Sequence, residues 1–230
     1  ISKIFTFNIR TTGVPESVLF EKIKKIDFDA EAMSIGYYPS LYGVDVRISH
    51  MDKNLLDEFK FQVVECINIH IYTLGNENIE NVLVNKLLNQ NLTISTAESC
   101  TGGLIGHRLT LVAGSSEVYS GGMITYSNKS KINNLDISAE SIRSFGAVSE
   151  EVALEMARNV KNKFKTSIGI SVTGIAGPGG GTDEKPVGLV YLGYCDENSL
   201  KVKKFNFISN RKSNKIRTSQ AVFNFILRMI

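Results

Sequence analysis

A chain of 230 residues has room for one large domain or two small ones, and for a sizeable buried core. Its composition, 43% hydrophobic and 21% charged without a low-complexity tract, is that of a globular protein, and no apolar run approaches the roughly 20 residues of a membrane-spanning helix. A net charge of +3 is too small to demand a nucleic-acid partner, although Lys201 to Arg217 carries seven Lys/Arg and no acid. Cys66, Cys100 and Cys195 are odd in number and far apart, which argues against a disulfide framework and for a cytoplasmic location. His50, His70 and His107 are equally scattered, so no metal site is expected. There is no charged-then-apolar leader, and the opening on Ile1 in strand-like sequence suggests a piece of a longer protein.

In chain order, Lys3 to Arg10 alternates as a strand, and Pro15 opens a helix through Ile26 with Leu19, Ile23 and Ile26 on one face. Tyr37-Tyr38-Pro39-Ser40 reads as a turn before a strand at Val44 to Ser49. A helix from Asn54 to Ile67 and a short strand at Ile69 to Tyr72 complete a small α+β unit of roughly 70 residues, in which nothing suggests chemistry. The boundary is expected near residue 75, which gives domains over 1–75 and 76–230.

Beyond it, helices alternate with strands, the pattern of a layered α/β domain. Ile79 to Leu87 is helical, and the short run of Leu92, Thr93 and Ile94 leads to a polar turn, Ser95 to Gly103, followed by a helix over Leu104 to Leu109. Ala113 to Ser116 is a turn. Val118 to Tyr126 is a strand that Gly121-Gly122 should bulge. Ser149 caps a helix whose buried stripe is Val152, Met156, Val160 and Phe164. Ser167 to Thr173 is a buried strand. Val187 to Gly193 and Val202 to Ile208 are an antiparallel pair, and a last helix begins near Arg211, burying Ile216, Phe223, Leu227 and Ile230.

Three constellations bear chemistry. The loop after Thr173 places five glycines within Gly174 to Gly181, so its backbone must approach something closely; it fits neither the Walker nor the dinucleotide pattern, and the choice lies between a flexible hairpin and an anion nest. Ser99, Ser116, Tyr126 and Lys131 lie at strand ends or turns, where an α/β sheet gathers its site. With no histidine at hand, a desolvated lysine is the available base for a serine, and these residues alone do not choose between Ser99 and Ser116. Cys100 reads as a buried small residue, Ser99 and Thr101 as capping hydroxyls. Arg211 and Arg217 stand at or near the start of the last helix, where a phosphate can be met.

Read together, Thr96-Ala97-Glu98-Ser99-Cys100-Thr101-Gly102-Gly103, Ala113-Gly114-Ser115-Ser116, Thr125-Tyr126-Ser127-Asn128, Gly146-Ala147-Val148-Ser149, Thr173-Gly174-Ile175-Ala176-Gly177-Pro178 and Glu184-Lys185-Pro186-Val187-Gly188 resemble the CinA C-terminal domain over about Asn76 to Ile230. The first 75 residues look like the CinA middle domain, and the nucleotide-cleaving domain of the longer family members has no counterpart here. The resemblance implies a three-layer α/β/α sandwich behind a small α+β domain. It implies a metal- and cofactor-free amidohydrolase that turns nicotinamide mononucleotide into nicotinate mononucleotide and ammonia. Ser116 would be the nucleophile, Lys131 the base, and Tyr126 an aid to proton transfer. Ser99, Thr101 and Thr173 would line the substrate pocket, with Gly174, Gly177 and Gly179 of the loop and Arg211 or Arg217 at the phosphate. Ser209-Asn210-Arg211 departs from the Gly-Asp-Arg expected there. The expected partners are a small nucleotide and further copies of the chain, as a dimer, with neither nucleic acid nor membrane. The alternative is a non-catalytic, competence-related module that binds a nucleotide or nucleic acid.

Overall fold

The computed structural model describes residues 3–27 and 33–230. Contacts divide the chain into two compact units, Ile1–Val82 and Leu83–Ile230. That division falls a turn or two beyond the boundary expected near residue 75, inside a helix. Among the described residues no helix is long and apolar enough to cross a membrane.

The first unit runs β1 (Phe5–Thr11), α1 (Glu16–Ile23), β2 (Ser34–Pro39), β3 (Val44–His50), α2 (Lys53–Ile67) and, after a single 3-10 turn, β4 (Ile71–Thr73). Its antiparallel sheet has the order β2-β3-β1-β4, the arrangement of the ferredoxin-like split βαβ motif. Ile9, Val46 and Ile48 of the sheet pack with Leu19 and Ile23 of α1 and with Leu56, Phe59 and Val63 of α2. The strand β2 corrects the sequence reading, which took Tyr37 to Ser40 for a turn. Pro39 is the last residue of an edge strand, where a missing N–H costs no ladder bond, and the turn comes after it, closed by Ser40 N–H to Gly43 O.

The second unit is entered through α3 (Ile79–Asn89), which spans the division, and continues β5 (Ile94–Glu98), α4 (Leu104–Thr110), β6 (Tyr119–Ile124), α5 (Asn128–Leu135), α6 (Ala139–Phe145), α7 (Glu150–Phe164), β7 (Ile168–Gly174), β8 (Leu189–Cys195), β9 (Leu200–Asn206) and α8 (Arg211–Met229). The sheet order is β6-β5-β7-β8-β9, with β6, β5 and β7 parallel and β8 and β9 antiparallel. The register of β6 shifts between Tyr119 and Gly121, the bulge that the paired glycines suggested.

Alternation along the strands sorts the helices into two layers. Ala97 packs among Leu135, Val152, Met156 and Val160, and Ser171 donates to the Ala153 carbonyl, so these side chains face α5 and α7. Glu98 and Tyr194 face the other way, onto α4 and the Phe225 ring of α8. Helices on both faces make the three-layer α/β/α sandwich. The helix α7 lies unusually close to the sheet. A Cβ on Gly169 would overlap the Ala157 carbonyl oxygen, and one on Gly193 the Ala153 carbonyl oxygen.

That closeness is testable. Gly169→Ala should lose about 1–3 kcal/mol in urea unfolding, because α7 must be pushed off the sheet. Gly179→Ala, which meets nothing within 4 Å, should stay within about 0.5 kcal/mol of wild type.

Candidate active site

In the second unit, the C-terminal ends of the parallel strands converge with the start of α8, the crevice where open α/β sheets bind ligands. The strand β5 ends at Glu98 and turns through Ser99 to Gly103 into α4. The strand β6 ends before Thr125 and Tyr126, and the Ser127 side chain then accepts from Ser130 N–H to start α5. The first turns of α5 carry Lys131 inward, onto the same side as Leu135 one turn later.

Lys131 is the centre of the arrangement. Its side chain is 1% exposed, and Nζ donates to Ser99 Oγ and to the Thr125 carbonyl, both at 2.8 Å. Neither hydrogen-bond partner is charged, and the loss of water around an ammonium outweighs the opposing electrostatic effect of Cys100. Burial accordingly pulls its pKa down from 10.5 to about 8. A lysine so placed is neutral often enough near physiological pH to accept the proton of the hydroxyl it touches. Cys100, the next residue, goes the opposite way: burial pushes its thiol up to about 12, so it stays protonated and is no competing nucleophile. The hydroxyls of Thr101 and Thr125 are fully buried here without a hydrogen-bond partner.

Glu98 holds the turn in shape. Its carboxylate accepts from the N–H groups of Gly103 (2.9 Å), Ile105 (3.2 Å) and Gly106 (2.8 Å), filling the N-terminus of α4. The helix start is therefore capped by the Glu98 carboxylate, where the sequence suggested the hydroxyls of Ser99 and Thr101. Gly103 enters α4 with φ +92, a conformation that admits glycine and strains other residues.

Positive charge comes from α8 instead. Arg211 donates through Nη1 to the Gly177 carbonyl (2.8 Å) and through Nη2 to the Tyr126 hydroxyl (2.6 Å). One helical turn on, Lys215 brings its Nζ to 3.6 Å from where a Gly102 Cβ would sit, and it acts electrostatically on Cys100. The glycine loop is tied down a second time by Lys185, whose Nζ donates to the Phe145 carbonyl at 2.7 Å.

The expected site residues fall into two groups. Ser99, Lys131, Tyr126, Gly177 and Arg211 are brought together, Thr101 lies two residues beyond Ser99 with its hydroxyl buried, and Ser116 is not among them. It sits in an exposed 3-10 turn just before β6, and the paired stretch from Ile94↔Tyr119 to Glu98↔Ile124, about 13 Å of strand, lies between it and Ser99. The expectation of Ser116 as partner to Lys131 is corrected on that ground. Tyr126, expected beside Lys131, bonds Arg211. Arg217 is exposed and about 240° round the helix from Arg211, on another face. Thr173 is buried with its hydroxyl spent on the Ala147 carbonyl, and Gly174 lies at the strand end against Leu189, where a Cβ would crowd the backbone. Gly179 is open to solvent. Sequence reasoning passed over Glu98 and Lys215. The four-residue spacing from Arg211 would have found the lysine, and an acid just ahead of two glycines and a helix would have suggested a backward cap. Among the described residues no group of three His, Cys, Asp or Glu is placed to hold a metal ion.

Residues 76–230 match the family described as the CinA C-terminal domain. The chain belongs to that family. Among CinA-like relatives, one from Kosmotoga olearia is 41% identical over 230 residues, covering 96% of this chain and 55% of the relative. Another from Cytophaga hutchinsonii is 40% identical over 232 residues, with 96% and 55% covered. The chain thus spans about half the length of these relatives. Among CinA-type solved structures, the competence/damage inducible protein CihA from Agrobacterium tumefaciens superimposes with TM-score 0.63 at 36% identity, over 66% of this chain and 96% of that one. A CinA superfamily protein from Escherichia coli gives 0.65 at 28% identity, over 71% and 98%.

The role of Glu98 can be measured. Glu98→Gln leaves one acceptor oxygen and turns an amide NH₂ toward backbone donors. It should lower unfolding free energy by about 2–3 kcal/mol in chemical denaturation, the cost of unpaired buried donors.

Proposed function

We propose that this member of the CinA family hydrolyses the amide of nicotinamide mononucleotide to nicotinate mononucleotide and ammonia, with Ser99 as nucleophile and Lys131 as its base. The observation that carries the reading is the 2.8 Å contact between a serine hydroxyl and a buried lysine whose pKa is held down to about 8. Neutral Lys131 takes the Ser99 proton as Oγ attacks the amide carbonyl carbon, and a tetrahedral adduct forms. The lysine ammonium then gives that proton to the departing nitrogen as the C–N bond breaks, releasing ammonia and leaving an ester on Ser99. Water repeats the sequence: Lys131 takes its proton, the hydroxyl attacks the ester, the bond to Oγ breaks, and Ser99 recovers a proton from Lys131.

The surroundings support a nucleotide as substrate. A mononucleotide carries an anionic 5′-phosphate, and Arg211 and Lys215 lie on the same side of α8 as the reacting pair.

An assay of ammonia release checks the reading. Ser99→Ala and Lys131→Met should each lose activity by about 10²–10⁴-fold, while Ser116→Ala keeps it. Because the neutral amine is the working form, kcat/KM should climb about tenfold per pH unit up to pH about 8 and level off above. A rate that falls with rising pH through that range would count against Lys131 as base.

A further inference from the structure

We infer that Tyr126 is a positioning residue for substrate recognition, which sets Arg211 for the phosphate, and that it takes no part in the proton transfers of amide hydrolysis. The family resemblance points the other way, to a tyrosine assisting Lys131. In this structure Lys131 spends its two hydrogen bonds on Ser99 and the Thr125 carbonyl, and the Tyr126 hydroxyl accepts from Arg211 Nη2 at 2.6 Å.

The contact has the form of a preset clamp. Arg211 stands in the first turn of a 19-residue helix, whose cap, Asn210, accepts from Ser213 N–H. Its guanidinium is fixed from two sides, by the Gly177 carbonyl of the glycine loop and by the Tyr126 phenol at the end of β6. Both partners are uncharged, so they fix the direction of the cation and leave its charge uncancelled. Among the described residues no carboxylate is ion-paired with it. Of its five N–H donors two are used, and the rest remain for an anion. An arginine held this way has already lost rotamer freedom that it would otherwise lose on binding. Tyr126 itself is 58% exposed, so its ring adds little to the core, and its replacement tests the hydroxyl rather than the fold.

The inference rests on the mononucleotide reading, and two measurements keep the two apart. Calorimetry with nicotinate mononucleotide and with the dephosphorylated riboside gives affinity for wild type, Tyr126→Phe, Arg211→Gln and the double variant. Ammonia release from nicotinamide mononucleotide gives kcat and KM across pH for the same proteins. Tyr126→Phe should weaken mononucleotide binding about three- to tenfold and leave riboside binding unchanged. It should raise KM, with kcat and its pH profile as in wild type, and add nothing in the Arg211→Gln background. A fall in kcat at constant KM, a shifted pH profile, equal losses for the riboside, or additive losses in the double variant would overturn it. If wild type releases no ammonia, the amidase reading falls and calorimetry still decides this one. Phosphate-dependent affinity weakened by Tyr126→Phe upholds it; equal affinity for mononucleotide and riboside defeats it.

Discussion

A lysine ammonium removed from water without a counter-charge is the constraint on which the second unit's chemistry turns. Lys131 has only the Ser99 hydroxyl and a backbone carbonyl for company, and the fold tolerates this by letting the amine lose its proton near pH 8. A carboxylate at the same distance would have kept the charge on the lysine and removed its use as a base. Among the described residues no carboxylate is ion-paired with Lys131, and that is the informative feature of the pair. The neighbouring thiol, Cys100, opposes that fall electrostatically, and burial outweighs it.

The rest of the unit serves to keep that pair in register. Thr125 N–H bonds the Glu98 carbonyl at 2.8 Å, which extends the β5–β6 pairing by one residue and fixes the carbonyl that Lys131 uses. Ser99 N–H bonds the Val172 carbonyl at 2.9 Å, which fixes the serine against β7. Glu98 occupies the N-terminus of α4, so this short helix holds the turn rigid and offers no anion site. The longer α8 carries the cations in its place, with Arg211 tied to both the glycine loop and the end of β6. The Ser99 hydroxyl, the Lys131 amine and the Arg211 guanidinium thus come from three different segments and lie at one end of the sheet.

Much of this was legible in the sequence where side-chain period and caps spoke clearly. Ser149 with its following acids, and the stripe of Val152, Met156 and Val160, gave α7 and its buried face as observed. The antiparallel pair after the glycine loop and the bulge at Gly121 were equally readable. The polar run Ser95 to Glu98 was not, because its composition imitates a turn. It makes up all but the first residue of a buried strand, and it can do so because Ser95 bonds Thr166, Thr96 bonds Tyr119 and Glu98 caps α4. The strand β2 was hidden for the same reason, by Tyr-Tyr-Pro-Ser. Ser116 shows a different limit. Motif order along a chain does not say at which end of a strand a residue will lie, and β6 carries the chain the full depth of the sheet between Ser116 and Tyr126.

In the proposed mechanism the bond to the substrate's acyl carbon forms on Ser99. Acid quenching of the protein during turnover of nicotinamide mononucleotide, followed by proteolysis and peptide mass mapping, tests it directly. An acyl ester is expected on the peptide that contains Ser99, and none in Lys131→Met. An ester found on Ser116, or one on Ser99 that forms undiminished without Lys131, would contradict it.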